Sequence, residues 1–342
     1  MKNTGKLIFI IVFFSCSVLY GAENPAHSLR VPLMSQNIEE DRIVFCNYMA
    51  EFLSLMDEVQ KEIQEWHPER EKNFVTDEDE GLNLFVKLGP VFAFYNWHSQ
   101  HGADPEEYIN AIKALLDVID GSEPGYEQGH TERVAWLVLK LKEELKKNNQ
   151  ALRENEEPIV VAALLHDLGK VFFPEAIFKT TSPQLTEMQD RFRKGHHVWG
   201  ARILESFPEF NRALALNVRH HHERYDIEGG YPDGLRKEDI PLGSRIIAVA
   251  DVMDGMLSKR AYDKKSHSLK EVINYMKQQS GKWFDPSAVD ALLSLYEKGE
   301  LQIYETKGLS LTDARQAVID YLISTHSKPV IDRSLAAPRK SI

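Results

Sequence analysis

Histidines and aspartates are the residues of this chain best suited to chemistry, and they come in short clusters. The densest is His220-His221-His222-Glu223, which runs through Arg224-Tyr225-Asp226-Ile227-Glu228 into a glycine-rich turn, Gly229-Gly230-Tyr231-Pro232. Imidazole is the commonest metal ligand at neutral pH. Glycine permits backbone angles that side chains forbid, and proline stiffens the exit. The stretch reads as clustered ligands feeding a shaped loop; its plain alternative is a polar surface turn. His166-Asp167 closes a very apolar segment, Ile159 to Leu165. An aspartate buried there is costly unless paired or bound to metal, and the competing reading is a carboxylate that caps neighbouring backbone. His130, the His196-His197 pair, Asp251 and Asp254 complete the set.

Such a constellation offers one carboxylate able to bridge two ions and enough ligands to fill each ion's shell. Histidine with carboxylate suits iron, manganese, zinc or nickel, and ligand type alone does not choose among them. Two ions roughly 3.5–4 Å apart can share a hydroxide and clamp a phosphodiester for in-line attack, so that no protein nucleophile is needed. Composition narrows the alternatives. The two cysteines, Cys16 and Cys46, exclude a disulfide scaffold and a cysteine zinc knuckle. A net charge of -11 argues against a polymeric nucleic-acid partner. It leaves room for a small anion, because bound cations supply local positive charge.

The elements that must hold these residues read as helices throughout. Lys2 and Lys6 precede an apolar run, Leu7 to Leu19, and then Tyr20-Gly21-Ala22, so residues 1–22 have the layout of a secretory signal peptide or membrane anchor. The chain is then expected to be exported or anchored in the inner membrane, or cytoplasmic if translation starts downstream, for instance at Met34. Residues 23–104 read as a helical N-terminal module of no assigned chemistry, with His98 and His101 as loop histidines. A second unit, 105–300, carries the clusters. Its expected helices run from His130 through Leu145, from Pro158 to the His166-Asp167 pair, from near Leu185 through His196 to Phe207, from Glu209 to Arg219, from Ser244 to Met256, from Leu269 to Gln279 and from Pro286 to Leu295. Residues 301–342 are expected to form a C-terminal helix and a loose tail. The 342 residues allow about two domains at ~150 residues each. The fold class expected is all-α, a helical bundle with an N-terminal helical module.

The region from about 105 to 296 resembles the HD-GYP domain, a branch of the HD phosphohydrolases. The residues that carry the resemblance are Gly129-His130-Thr131-Glu132-Arg133-Val134-Ala135, Ala163-Leu164-Leu165-His166-Asp167-Leu168-Gly169-Lys170, Lys194-Gly195-His196, Gly200-Ala201-Arg202-Ile203-Leu204, His221-His222-Glu223-Arg224 with Gly230-Tyr231-Pro232-Asp233-Gly234-Leu235, Ile240-Pro241-Leu242-Gly243-Ser244-Arg245-Ile246, Ala248-Val249-Ala250-Asp251 and Phe284-Asp285-Pro286. The resemblance implies a metal-dependent phosphodiesterase that opens a cyclic dinucleotide, cyclic di-GMP first, to linear pGpG and onward to GMP in some members, by attack of a hydroxide bridging two metals. By position, His130, His166, Asp167 and Asp251 would hold one divalent ion. Asp167 would bridge to a second, held also by His196, His221 and His222. Iron or manganese is expected, with zinc or nickel as alternatives. Lys170 and Arg260 would contact phosphate, and Tyr231 would line the nucleotide pocket. Asp254, one turn beyond Asp251 on the same face, would support the ligands from behind; His220 and His197 would not be ligands.

Three departures from the family pattern mark this chain. Its signature loop is one residue longer, with Ile227 where glycine is usual. Asp263 stands where a basic residue often meets the second phosphate. Tyr126 stands where three-metal members carry glutamate, which favours two ions. The alternatives kept beside the leading reading are a catalytically weak nucleotide sensor or interaction module, and a hydrolase of another phosphate ester. Membrane attachment through the N-terminus and a homodimer stay open as partners.

Overall fold

The computed structural model describes residues 129–147, 157–172, 190, 193–205, 212–226, 230–258, 267–301 and 311–326. The expected signal or anchor, the 23–104 module, Tyr126, Arg260 and Asp263 lie outside the described residues. Among the described residues there is no strand, only an isolated bridge between Ser280 and Phe284. None of the described helices is long and apolar enough to cross a membrane. The architecture is all-α.

The helices are α1 (His130–Lys146), α2 (Glu157–Leu165), α3 (His196–Glu205), α4 (Arg212–Arg219), α5 (Leu242–Leu257), α6 (Leu269–Gln279), α7 (Pro286–Glu297) and α8 (Leu311–His326), with short 3-10 turns at Leu168–Phe172 and Lys237–Asp239. In α1, Val134, Leu137, Val138, Leu141 and Leu145 fall three or four residues apart and are buried along one face. From Ile159 to Leu165 every residue of α2 is apolar and buried, as a helix at the centre of a bundle must be. It packs against α1, α4 and α5, while α3 and α4 lie against each other and α5, α7 and α8 cover α1.

Local signals set the ends. Ser268 and Glu271 form a capping box at the start of α6. Asp285 accepts from the Ser287 backbone N–H at 2.8 Å, with Pro286 opening α7. One expectation fails here. The helix predicted from Leu185 through His196 is interrupted by a turn at Lys194 and Gly195, and α3 begins afresh at His196. The break places His196 at a helix start with its ring nitrogen on the carbonyl of Arg193. It also coincides with a tight crossing. A side chain at Gly169 would put its Cβ 1.9 Å from the carbonyl oxygen of His196, so only glycine lets the turn after α2 meet the start of α3.

The helix beyond residue 300 is docked on the site-bearing helix. Arg315 of α8 donates to buried Glu132 of α1 through Nε at 3.1 Å and Nη2 at 2.7 Å.

Candidate metal centre

Five chain segments end or pass at one place. His130 opens α1 after Gly129, whose φ of 91° is left-handed and suits glycine. His166 and Asp167 occupy the turn that ends α2, and His196 opens α3. His221 and His222 follow α4, and Asp251 lies within α5. Helix ends suit this task, because a residue just outside a helix can aim across the axis of its neighbours.

The ligand-type atoms gather in two groups. One atom each from His130, His166 and Asp251 lie within 4.8 Å of one another, and so do one each from His196, His221 and His222. Asp167 stands between them. Its Oδ2 is 3.1 Å from His166 Nε2 and 3.7 Å from His130 Nε2, and its Oδ1 is 3.3 Å from His196 Nε2. One oxygen therefore faces each group. Asp251 Oδ1 is 3.3 Å from His130 Nε2 and 3.9 Å from His166 Nε2. In the second group the Nε2 atoms of His196 and His222 converge to 3.2 Å.

The proton positions fit cation binding. His166 Nδ1 lies 2.7 Å from the carbonyl of Ala163, His196 Nδ1 2.8 Å from that of Arg193, and His221 Nδ1 2.6 Å from that of Val218. A carbonyl can only accept, so each Nδ1 carries a proton and each ring turns its Nε2 edge inward. The Nε2 atoms of buried His166 and His221 make no hydrogen bond. His166 Nε2 is near Asp167 but not aligned with it. Buried polar atoms are normally satisfied; lone pairs converging on a shared carboxylate have a metal ion as their natural partner.

The electrostatics divide the same way. Burial disfavours charge on His130, but its hydrogen bonds to Asp251 and Asp254 prevail and raise its pKa to about 10. Burial likewise opposes the charged form of His166, and the Asp167 charge overrides it, raising the pKa. The proton stands where a cation would stand. In the second group burial wins. His196 and His222 are held well below the usual imidazole value and His221 falls to about 4. Asp167 stays ionised against burial because His166 and Lys170 lie beside it, and Asp251 does so through His130.

Comparison with known proteins gives this arrangement a family. A family model described as an HD domain matches residues 115–288, half of the chain. The cyclic di-GMP phosphodiesterase response regulator RpfG of Xanthomonas campestris is 38% identical over 215 residues, covering 62% of this chain and 53% of that protein. The chain belongs to the HD-GYP family. A cyclic di-GMP phosphodiesterase of Thermotoga maritima is 34% identical over 203 residues, covering 58% of this chain and 52% of that protein. A 3'3'-cGAMP-specific phosphodiesterase of Vibrio cholerae is 30% identical over 171 residues, covering 49% and 31%. The chain spans about half the length of the first two of these curated relatives.

Around this centre, the residues behind the candidate ligands are as specific as the candidates themselves. Asp254 is fully buried and accepts from His130 Nδ1 at 2.8 Å, from Arg133 Nε at 2.7 Å and Nη2 at 3.1 Å, and from Ser258 Oγ at 3.1 Å. A carboxylate behind a histidine fixes its tautomer and raises its basicity. The sequence points to Asp254 in this place but not to Arg133, although Arg133 falls one turn after His130 on the same face. Lys170 donates to Asp167 Oδ2 at 2.6 Å. The ring of Tyr231 stacks on that of His222 at 5.2 Å, and burial pushes its hydroxyl up to about 12. His197 is buried against Tyr231 and His222, with burial lowering it to about 3, so it is a neutral wall residue outside both ligand groups. His220 is also outside both groups, and Arg260 lies outside the described residues.

Proposed function

We propose that this protein is a metal-dependent phosphodiesterase that hydrolyses a cyclic dinucleotide, cyclic di-GMP or a related molecule such as 3'3'-cGAMP, to a linear dinucleotide. The observation that carries the reading is Asp167, with one oxygen toward each group of histidines. The named activities of the relatives support it.

In this reading His130, His166 and Asp251 would hold one divalent ion and His196, His221 and His222 the second, with Asp167 available to both. Iron or manganese is the proposed metal, with zinc and nickel, which accept the same mixed imidazole and carboxylate ligands, as the alternatives that metal analysis would distinguish. When bound, the pair supplies Lewis acidity toward a phosphate and lowers the pKa of water. The chain's own residues do the rest. Asp167 stays ionised and turns one carboxylate oxygen toward each group. Lys170, fixed on the turn immediately after it, presents an ammonium to phosphate oxygens as negative charge grows on them. Tyr231 offers a ring face to a base or ribose. Arg133 and Asp254 fix the His130 ring through its Nδ1 side and turn Nε2 toward Asp251 and Asp167. Addition of a water oxygen to phosphorus breaks the bond to the ribose 3' oxygen, and that oxygen leaves with a proton as the ring opens.

The test is a substrate panel with the purified full chain, supplied anaerobically with manganese or iron and followed by product chromatography. A linear dinucleotide from cyclic di-GMP or 3'3'-cGAMP is expected. Full metal occupancy with no product from either would overturn the reading in favour of a nucleotide sensor.

A further inference from the structure

His220 and Asp233 have no part in either ligand group, yet they meet. Asp233 Oδ2 accepts from His220 Nε2 at 2.9 Å and from Arg219 Nε at 2.7 Å, and its Oδ1 accepts from Arg219 Nη2 at 2.8 Å. The backbone N–H of Asp233 donates to Glu223 Oε1 at 2.7 Å. His220 is itself tied to α4, its Nδ1 lying 2.9 Å from the carbonyl of Leu216. Arg219, His220 and Glu223 flank His221 and His222 on both sides, so one loop residue grips the ligand turn from either end.

Between these grips the loop lies directly on the turn. A Cβ added at Gly230 would be 2.4 Å from the His222 carbonyl oxygen, the Glu223 Cα and the Arg224 nitrogen. The Tyr231 N–H points to the His222 carbonyl at 3.4 Å, and the two rings stack at an interplanar angle of 30°. The clamp sits at the rim, not in the core, since the side chain of Asp233 is 38% exposed. Exposed ion pairs usually contribute little. A bidentate arginine fork with a third donor from histidine is the geometry that fixes orientation best.

We propose that Asp233 is a positioning residue: with Arg219 and His220 it fastens the loop that carries Tyr231 to the turn that carries His221 and His222, so that substrate wall and metal ligands keep one geometry. The substrate arm of this inference rests on the cyclic-dinucleotide reading; the metal arm does not. Loss of the clamp opens no cavity, because Asp233 is at the surface. Its removal should loosen Tyr231 and His222 while the helices stay packed.

The experiment compares full-length wild type with Asp233→Ala, Asp233→Asn and Arg219→Lys. Its readouts are KM and kcat on cyclic di-GMP, manganese affinity by titration of metal-stripped protein, and Tm. Asp233→Ala is expected to raise KM and weaken the second manganese equivalent, each by roughly tenfold, as loss of groups behind metal ligands commonly does. The kcat and Tm are expected to change little, and the two conservative variants to fall between. Asp233→Ala with KM and manganese affinity both at wild-type values would overturn the proposal. So would a drop in Tm and kcat with KM and metal affinity unmoved, which is the signature of a merely structural contact. If Asp233→Ala does not fold, Asp233→Asn and Arg219→Lys decide between the same outcomes by the same readouts. If wild type opens no cyclic dinucleotide, the functional reading fails while manganese affinity still decides the clamp.

Discussion

The two halves of the centre are built from the same residue types and behave differently. Around His130 and His166 stand Asp251, Asp254 and one oxygen of Asp167, and both histidines have raised pKa values. Around His196, His221 and His222 the carboxylate in the ligand set is the other oxygen of Asp167, and all three histidines have lowered values. Burial is common to both. The carboxylates make the difference, because an anion within a few ångströms in a poorly solvated site outweighs the desolvation of the cation. The first half is thus a charged socket for a cation. The second is a neutral nitrogen socket that depends on Asp167 for its anionic character. The first is expected to hold its ion more tightly, and the second to lose its ion first.

Asp167→Ala tests the shared element and should have the largest effect. It removes the oxygen that faces the second group and one from the first. Turnover is expected to fall by about 10³-fold or more, equivalent to several kcal/mol of lost electrostatic stabilisation, and metal analysis should find at most one ion. His222→Ala should separate the halves. One ion is expected to remain, held by the His130 side, while turnover falls by roughly 10²-fold or more for want of the second; loss of both ions would show that the halves are not independent. Asp254→Asn acts on the first half alone and from behind. It should weaken the first manganese equivalent by about 10–100-fold and leave the ligand geometry on the His196 side intact, as a manganese titration would show.

The smallest effect is on stability against pH in metal-stripped protein. His221 and His197 refuse protons until about pH 4 and 3, whereas the unfolded chain takes them up near 6.5. Below that value the unfolded state binds more protons, so Tm should fall as pH drops from 6.5 toward 4. His130 acts oppositely. Its raised pKa of about 10 gives stability that is fully present below 6.5 and lost as pH rises toward 10. Tm is expected to peak near neutrality. A Tm that rises steadily on acidification would contradict the contrast between the halves.

Much of this is legible in the chain itself. The proposed ligands stand in ordered segments that a family pattern covers, and each lies at a helix end or on a helix that apolar spacing predicts. The helical class follows from the same spacing. The break before His196 escapes that reading, because the apolar pattern runs on through Lys194 and Gly195; the lone glycine is the available signal. The carbonyl partners of His166, His196 and His221 are invisible for a deeper reason. Any residue offers a carbonyl, so the identities of Ala163, Arg193 and Val218 say nothing of the bond. The Asp233 clamp is hidden because it joins residues ten to fourteen positions apart across a loop whose path the sequence does not set. Arg133 can be found from its helical spacing to His130.

In the proposed mechanism two unequal sockets act as one centre through Asp167. The most direct measurement titrates metal-stripped protein with manganese under anaerobic conditions and follows product from cyclic di-GMP at each step. A tight first equivalent without product is expected, then a weaker second equivalent with which a linear dinucleotide appears. Full turnover at one equivalent, or two bound equivalents without turnover, would contradict it.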